Sequence, residues 1–368
     1  MKILMLCKRR PQGRDLFTRP YGRFFHLPKL LAEAGHTVYL LLLSYLGDPP
    51  LRVERDGITW LSESIRPYGP ARYLRKAAEI VKAFRPDWIV GFSDTYFGII
   101  ARHLAGRHQT RAAIDAYDNY ESYLPWCFPL HRAWRNALKE AEVVTAAGPQ
   151  LAHLLQAHRP GRSVHVVPMS ADPAFMPLDR PACRARMGMP AGSRLIGYCG
   201  SLTEGRGIGD VLLAAETLAR DIPDAQLVLS GRKSRKIHLP PKVKWMGYLP
   251  DPDIPVLLNC MDAVAVPNRL SAFGRYSYPV KLYEAMACGI PVLATATEPS
   301  KWILQNQAMF LANPDDPFDM VRKLKDVLQL GRIVYPGIGD WTIGARKFEQ
   351  ALEPGAAAPE KAELCGDT

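Results

Sequence analysis

The 368 residues carry a formal net charge of +11, and 48% of them are hydrophobic. This length predicts two domains, and the apolar content is sufficient for two cores. The longest apolar runs have the length of a strand and fall well short of the ~18–20 residues that a membrane-spanning helix needs. Seven scattered Cys without a C-x-x-C pair argue against a disulfide framework or a structural zinc site and predict a reducing compartment.

Strand and helix patterns alternate through the first half of the chain. Buried strands are predicted at 2–7, 36–43, 88–91, 111–115 and 143–145. Helices are predicted at 24–34, 72–84, 132–142 and 149–157. Such alternation implies βαβ units, a parallel sheet and ligands at the carboxyl ends of the strands.

A Pro-rich segment at 169–177 is the predicted linker, after which the alternation restarts. Strands are predicted at 195–198, 225–229, 243–246 and 263–266. Helices are predicted at 208–219, 254–260, 317–328 and 341–352. The predicted domains are therefore 1–170 and 171–340. The tail at 353–368 is rich in Ala, Pro, Gly and Glu, which predicts disorder.

Segment 276–295 is the most informative stretch and reads as a polar loop, a helix, a Gly turn and a buried strand. Pro279 suits the first turn of that helix, and Gly289 suits the left-handed position that ends it. A helix N-terminus presents unpaired N–H groups and about half a positive charge, which favours phosphate. Lys281 and Glu284 lie in the first turns, where one could neutralise phosphate and the other could accept hydrogen bonds from a ribose diol.

This segment resembles the donor-site signature of retaining glycosyltransferases with the GT-B fold, in particular family 4. The variant is Ser-x-Pro-x-Lys-x-x-Glu-(Tyr/Ala)-Met-Ala-x-Gly-x-Pro-Val, and the alternative is a surface αβ unit with an accidental Pro and Gly. The resemblance implies an α/β fold of two Rossmann-like domains, each a doubly wound parallel sheet, facing a central cleft. It also implies that the first domain binds the acceptor, that the second binds a nucleotide-sugar donor, and that helix 341–352 crosses back to the first.

A Gly-rich loop at 197–209 resembles the Gly-Arg-Leu-x-x-x-Lys-Gly element of the family, in which two cations grip the donor diphosphate. Gly200 matches the first Gly, but Ser201 stands where the first Arg usually stands. Arg206 stands at the Lys position and is a predicted catalytic residue, because Arg can bind phosphate bidentately. Arg232 could supply the second charge, or it could belong to a solvated loop.

The resemblance assigns Glu284 to the ribose hydroxyls of the donor, whereas the simpler alternative is an acidic residue that the helix dipole favours. The family commonly has a second Glu eight residues earlier, which binds the sugar, and Tyr276 occupies that position here. Contact with the sugar is then expected from Tyr276, from Ser277 or from backbone N–H groups near 273–274. This departure leaves the identity of the donor sugar open.

Two positions in the first domain complete the predicted site. Gly13 matches a Gly-rich loop of the family that closes on the phosphate and sugar. Asp118 is the second predicted catalytic residue, since Tyr117-Asp118 stands where the family commonly has a His-Asp pair near the acceptor. A carboxylate there could orient the acceptor hydroxyl or accept its proton. Asp115 and Glu121 are interpreted as capping or solvated turn charges, and no metal or other cofactor is expected.

The positive charge favours anionic partners, but no helix-turn-helix, RRM or finger signature supports nucleic acid as one. The many basic residues of the first half, Arg9 and Arg23 among them, are interpreted as solvated surface charges. Attraction to an anionic membrane surface or to a phosphorylated acceptor is the alternative. The aromatic segment 120–130 is interpreted as a loop packed on its own domain, with an acceptor groove or a membrane-facing edge as alternatives.

The sequence therefore predicts a metal-independent, retaining hexosyltransferase that uses a UDP- or GDP-sugar and a glycan or lipid-linked acceptor, in bacterial cell-surface polysaccharide synthesis. Met1 runs directly into a strand, so we expect no secretory signal and a cytoplasmic location, with association with the inner face of the membrane left open. The alternatives are a nucleotide-sugar epimerase or hydrolase of the same fold, a non-catalytic nucleotide-sugar-binding partner, and a basic nucleic-acid-binding protein.

Overall fold

The computed structural model describes residues 1–67 and 69–353, and its chain forms two compact units. The N-unit comprises Met1–Met169 together with the chain from Trp341 onward, and the C-unit comprises Ser170–Asp340. The predicted disordered tail lies, beyond Glu353, outside the described residues.

In its described part, the N-unit is built on an eight-stranded sheet in which β3 and β4 form an antiparallel pair and the other neighbours run parallel. The strands are β1 (Lys2–Lys8), β2 (Thr37–Ser44), β3 (Leu51–Arg55), β4 (Ile58–Ser64), β5 (Trp88–Gly91), β6 (Arg111–Ala116), β7 (Val143–Ala146) and β8 (His165–Val166). The helices before the linker are α1 (Arg23–Glu33), α2 (Ala71–Phe84), α3 (Thr95–His108), α4 (Phe128–Glu140) and α5 (Pro149–Gln156). Helices cover the sheet, so its inner strands are apolar on both faces.

The C-unit, as far as it is described, has a six-stranded parallel sheet. Its helices are α6 (Arg180–Met187), α7 (Ile208–Asp221), α8 (Asp253–Asn259), α9 (Val280–Ala287), α10 (Glu298–Ile303) and α11 (Pro317–Val327). Its strands are β9 (Arg194–Cys199), β10 (Ala225–Ser230), β11 (Lys244–Trp245), β12 (Ala263–Val266), β13 (Val292–Thr295) and β14 (Leu311–Ala312). The chain then returns to the N-unit through α12 (Trp341–Leu352).

Strand order places a possible ligand crevice in each unit. The orders are β3-β4-β2-β1-β5-β6-β7-β8 and β11-β10-β9-β12-β13-β14, so the direction of winding reverses between β1 and β5 and between β9 and β12. In doubly wound sheets, ligands bind outside the carboxyl ends of the strands at such a reversal. The Gly-rich loop follows β9, and it therefore lies at the reversal of the C-unit.

The pattern-based predictions missed the strands β3, β4, β8 and β14 and the helices α3, α6 and α10. Helix α3 lacks a clear apolar stripe because two of its fourteen positions are Gly. Gly98 is required by packing, since a Cβ there would lie 2.6 Å from the ring of Trp134, and a Cβ at Gly91 would lie 2.5 Å from the Gly98 Cα. The close approach of α3 to β5 therefore depends on Gly91 and Gly98, and Gly98 is one of the two Gly residues that weaken the apolar pattern of the helix.

Helix α12 packs against α1 within the N-unit. The rings of Trp341 and His26 stack with centroids 5.6 Å apart. Phe348 is fully buried, and His36 Nε2 lies 2.7 Å from a Glu349 carboxylate oxygen. Both apolar and polar contacts therefore tie the end of the described chain to the N-unit.

A buried ion pair lies at the centre of the N-unit. The Arg23 and Asp115 side chains are 1% and 0% exposed, and Arg23 Nε donates to Asp115 at 2.7 Å. Arg23 also donates to the Val167 carbonyl at 2.7 Å, and the Thr145 hydroxyl donates to Asp115. Our interpretation of Arg23 and Asp115 as solvated charges is therefore wrong, because the fold pairs two residues that are distant in the chain.

We predict that Asp115→Asn lowers the free energy of unfolding by about 3–5 kcal/mol, because it leaves the Arg23 guanidinium buried without a counter-charge. The measurement is urea unfolding of the full chain followed by circular dichroism. The matched control is Lys29→Ala on α1, the helix that carries Arg23, which removes the exposed Lys29–Glu33 pair and should cost about 0.5 kcal/mol or less. Equal losses of unfolding free energy in the two variants would show that the buried Arg23–Asp115 pair stabilises the fold no more than the exposed Lys29–Glu33 pair does.

Candidate active site

The turns that follow β9 and β10 touch each other. The Gly200 N–H donates to the Ser230 carbonyl at 2.8 Å, and the Leu202 N–H donates to the Arg232 carbonyl at 2.9 Å. A Cβ at Gly231, where φ is +133°, would lie 2.0 Å from the Gly200 carbonyl oxygen, so only Gly fits there. The Gly-rich loop and the Arg232 loop are therefore neighbours.

The Lys281 ammonium lies at the tip of the Gly-rich loop. A Cβ at Gly200 would lie 2.5 Å from Lys281 Nζ. Lys281 Nζ donates to the Tyr198 hydroxyl at 3.2 Å and lies 4.4 Å from the centre of its ring. The Tyr198 hydroxyl in turn donates to the Ser201 carbonyl at 2.8 Å. One phenol thus holds both the cation and the loop in place.

Tyr198 was not among the predicted site residues. It is fully buried near the end of β9, and the predictions treated it as one of the apolar residues of that strand. The signal available was chemical, since a buried Tyr hydroxyl almost always needs a hydrogen-bond partner. What the pattern could not supply was the identity of that partner, which comes from a helix 83 residues away.

Helix α9 begins one residue later than predicted. Pro279 has an extended ψ of 111° and precedes the helix, so it does not lie in the first turn. Lys281 lies in the first turn, Glu284 in the second, and Gly289 follows the helix with a left-handed φ of +67°. The helix N-terminus and the Lys281 ammonium therefore lie beside the same loop.

Glu284 and Lys281 both lie close to the end of β9. Burial, followed by the Glu284 carboxylate, raises the pKa of the Cys199 thiol to about 12, and the Lys281 ammonium opposes that shift. Glu284 is buried among the residues of α9. A carboxylate and an ammonium are thus placed at one carboxyl strand end, as recognition of a ribose and a diphosphate would require.

The loop before α9 is held against the end of β12. The Asn268 N–H donates to the Thr295 hydroxyl at 3.0 Å, and Asn268 Nδ2 donates to the Gly274 carbonyl at 3.2 Å. A Cβ at Gly274 would lie 2.0 Å from the Arg269 carbonyl oxygen. The short 3-10 helix Gly274–Tyr276 is therefore packed directly on the backbone that leaves β12.

Arg206 joins this loop to the Gly-rich loop. Its guanidinium lies 4.8 Å from the centre of the Phe273 ring, next to Gly274. Tyr276 is half-buried at the end of the 3-10 helix, and Ser277 is buried just after it. The Gly-rich loop therefore approaches the 276–295 signature and the loop before it at two points: Gly200 is close to Lys281 of α9, and Arg206 is close to Phe273.

The residue that replaces the first family Arg and the residue predicted to supply the second charge both lie on the surface. Ser201 and Arg232 are both exposed. The Arg232 guanidinium lies 5.2 Å from the centre of the Tyr248 ring. Because the two loops touch, Arg232 is close enough along the backbone to serve the Gly-rich loop, and its role there stays a prediction.

Gly13 and Asp118 lie at the carboxyl edge of the N-unit sheet. Gly13 ends the 3-10 turn Pro11–Gly13 after β1 with a φ of +78°. Asp118 follows β6, is buried, and accepts a hydrogen bond from the Tyr123 hydroxyl at 2.7 Å. Burial, and then the Asp118 charge, raise the pKa of Tyr123, so the phenol remains a donor and orients this carboxylate.

The basic loop after β1 is a structural network. Arg9 is buried, and its Nε donates to Asp15 at 3.0 Å. Arg10 donates to the same carboxylate at 2.8 Å and also pairs with Asp48, whose pKa the Arg10 guanidinium holds far below its usual range. The interpretation of Arg9 as a surface charge is wrong, since these pairs fix the backbone that leads to Gly13.

Within residues 1–67 and 69–353, no group of three or more His, Cys, Asp or Glu side chains could hold a metal ion. Over the same ranges, no helix combines the length and the apolar character that crossing a bilayer requires.

Two family models match the chain. The model described as glycosyl transferase 4-like domain matches residues 23–170, and the model described as glycosyl transferases group 1 matches residues 193–330. The chain belongs to the group 1, family 4-like glycosyltransferases. The family that the 276–295 signature predicted is thereby confirmed.

The curated relatives match this glycosyltransferase over only part of their length. D-inositol 3-phosphate glycosyltransferase of Mycobacterium tuberculosis is 28% identical over 136 residues, which is 33% of this chain and 26% of that protein. The chain therefore spans about a quarter of the length of the curated relatives it matches. The homologous protein of Mycobacterium bovis matches to the same extent.

Solved structures resemble this glycosyltransferase over almost its whole length. Sucrose-phosphate synthase of Thermosynechococcus elongatus has a TM-score of 0.73 at 16% identity, covering 95% of this chain and 98% of that one. Anabaena HepE in complex with UDP and glucose has a TM-score of 0.70 at 15% identity, covering 96% and 99%. At such identities the likeness shows the fold, and it confirms the predicted GT-B class.

We predict that Tyr198→Phe weakens the binding of UDP by this glycosyltransferase about tenfold, or ~1.4 kcal/mol, because the Lys281 ammonium and the Ser201 carbonyl both lose a hydrogen-bond partner. Calorimetric titration with UDP measures it. Tyr335→Phe is the matched control, since its buried hydroxyl bonds the Ile290 carbonyl and the Val292 N–H, outside the site. That variant should lose stability and keep its UDP affinity. Unchanged affinity in Tyr198→Phe would contradict the positioning role.

Proposed function

We propose that this protein transfers a hexose-type sugar from a UDP- or GDP-sugar, with retention of configuration, to a hydroxyl of a glycan or lipid-linked acceptor. The observation that carries the proposal is the placement of the Lys281 ammonium against Gly200, where the Gly-rich loop meets α9. Backbone N–H groups and a cation at one point suit a diphosphate. Of the two nucleotides, the likeness to HepE, whose structures hold UDP or UDP-glucose, favours UDP.

The proposed transfer needs positioning and charge compensation rather than a covalent intermediate. The bond from the anomeric carbon to the diphosphate breaks, and its electron pair leaves with the phosphate oxygen. The acceptor oxygen forms a new bond to the anomeric carbon on the same face of the sugar, and the proton of the acceptor hydroxyl passes to the departing phosphate. Lys281 and Arg206 neutralise the charge that develops on that phosphate, which is the kind of electrostatic stabilisation that contributes most in such sites.

The remaining predicted residues take positioning roles in this proposal. Glu284 accepts hydrogen bonds from the ribose hydroxyls, and Asp118, oriented by Tyr123, orients the acceptor hydroxyl. Tyr276 and Ser277 contact the sugar, and Gly13 allows a loop to approach it. No resident metal takes part in the proposed reaction, since Lys281 and Arg206 supply the positive charge.

The replacement of two family residues favours a second candidate function. Ser201 stands in place of a diphosphate-binding Arg, and Tyr276 stands in place of a sugar-binding Glu. A chain with both changes could bind a nucleotide sugar without transferring it, as a non-catalytic partner in the same pathway. We place either function at the cytoplasmic face of the membrane, in bacterial cell-surface polysaccharide synthesis.

A thermal-shift panel of UDP, GDP and their sugars identifies the donor, because a ligand at 100 times its Kd adds about 2.7 kcal/mol to the native state. Nucleotide release is then measured with the selected donor. Release that depends on an added glycan or lipid-linked acceptor supports transfer. Release without any acceptor indicates a hydrolase, or an epimerase if the sugar is inverted. Binding without release indicates the non-catalytic partner, and the absence of any shift contradicts nucleotide-sugar binding.

We predict that Glu284→Ala and Arg206→Ala each lower kcat/KM for the selected donor at least tenfold, about 1.4 kcal/mol in the barrier, with an unchanged melting temperature. Glu284→Ala removes the ribose contact, and Arg206→Ala removes a charge that stabilises the leaving phosphate. Matched controls are Glu216→Ala and Arg220→Ala on the exposed face of α7, which should retain full activity. Full activity in both site variants would refute the assignment.

A further inference from the structure

Large apolar side chains are exposed on three loops at the carboxyl edge of the N-unit sheet. Tyr45 and Leu46 follow β2, Tyr96 lies in the first turn of α3 just after β5, and Trp126 and Phe128 follow β6. Trp126 is 71% exposed and Phe128 is 73% exposed. We call these five residues the aromatic edge. Clusters of this kind on a protein surface mark interaction sites.

The aromatic edge is continuous across the three loops. Strands β2, β1, β5 and β6 are consecutive in the sheet, so the loops that follow them are neighbours. Burial, then Asp94, then Cys127 raise the pKa of Tyr96, so Tyr96 is near enough to Cys127, between Trp126 and Phe128, for the two groups to interact electrostatically. Burial, Asp94 and Tyr96 raise the pKa of Tyr45 to about 12, so the electrostatic neighbourhood of Tyr96 includes the β2 loop.

The segment 120–130 therefore divides into two parts. Tyr120 is buried, with its ring centre 5.5 Å from that of Trp134, as a loop packed on its own domain should be. Trp126 and Phe128 instead point away from that core. The preferred interpretation of the whole segment as a packed loop is thus wrong for its second part.

A row of cations continues from the aromatic edge along α4. Phe128, Arg132, Arg135 and Lys139 recur at helical spacing and are all exposed, while Trp134 and its neighbours on the opposite face are buried. Arg135 pairs with Glu121 at 2.6 Å. In the part of the chain that the structure describes, neither Arg132 nor Lys139 forms an ion pair. We call Arg132, Arg135 and Lys139 the cation row.

Most of the net charge of the protein belongs to the same unit. Residues 1–169 contain 24 Lys and Arg against 14 Asp and Glu, and residues 341–368 contain 3 against 5, so the N-unit carries +8 of the +11 of the whole chain. The C-unit contributes +3 from 20 basic and 17 acidic residues. A surface that combines exposed Trp and Phe with cations complements the headgroup region of a bilayer rich in anionic lipids.

We propose that the aromatic edge inserts into the headgroup layer of an anionic membrane while the cation row contacts the lipid phosphates. Trp and Tyr suit that depth because one end of each ring system is apolar and the other carries a hydrogen-bond donor. Each Lys or Arg near such a surface strengthens binding about fivefold. The inference deepens the proposed function, on which it rests for its purpose, since a lipid-linked acceptor would be met at this edge.

The test is co-sedimentation of the full chain with vesicles of phosphatidylcholine alone or mixed equally with phosphatidylglycerol. We expect binding to the mixed vesicles that weakens as salt is added. The double variant Trp126→Ser/Phe128→Ser should lower the partition at least tenfold, and Arg132→Glu should lower it about fivefold or more. Phe318→Ser, at a side chain of the C-unit that is 79% exposed, is the matched control and should bind as the wild type does.

Three outcomes would overturn the inference. The first is that the wild-type chain does not bind the mixed vesicles, and the second is that the double variant binds them as tightly as the wild type. The third is that the wild type is an oligomer and the double variant is a monomer, which would make the aromatic edge a contact between copies of the chain. The thermal shift with UDP, measured on every variant, reports folding and donor binding separately. If neither UDP, GDP nor their sugars bind any of them, the proposed function fails, while the vesicle result still decides this inference.

Discussion

The contact between Lys281 and Gly200 is the constraint on which the candidate site depends. It requires a residue without a side chain at Gly200, a helix that starts immediately before Lys281, and a phenol at Tyr198 that holds the ammonium. The Gly231 turn must also approach the Gly200 carbonyl without a Cβ between them. Three strand ends and one helix N-terminus thereby converge at the point where the strand order of the C-unit reverses.

Charged side chains serve two different purposes in the N-unit. One group of cations pairs with carboxylates and comprises Arg23, Arg9 and Arg10. These ion pairs fix the sheet edge and the loop that leads to Gly13. The cation row on α4 lies on the exposed face of its helix, beside aromatic rings. Composition alone cannot separate the two groups, because both are runs of basic residues in an αβ sequence. Burial separates them.

The parts of the fold and the site that sequence predicted well are those set by local chemistry. The signature before and within α9 combines a Pro, a Gly and an apolar strand within twenty residues, so its pattern is strong and its neighbours in space are its neighbours in sequence. Tyr198 and the Arg23–Asp115 pair were missed because their partners lie 83 and 92 residues away. The exposed half of segment 120–130 was missed because the direction of a loop aromatic depends on tertiary packing.

Preorganisation of the remaining cations can compensate for the family Arg that is absent because Ser201 stands in its place. A flexible Lys loses up to about 2 kcal/mol of side-chain entropy when a ligand immobilises it. The Tyr198 hydroxyl and ring already confine Lys281 at the loop tip, so part of that loss is incurred on folding rather than on binding the diphosphate. The Phe273 ring confines Arg206 in the same way. If Lys281 and Arg206 bind the donor diphosphate as proposed, this confinement lowers the ordering cost of binding, because affinity depends on the surplus of interaction over that cost.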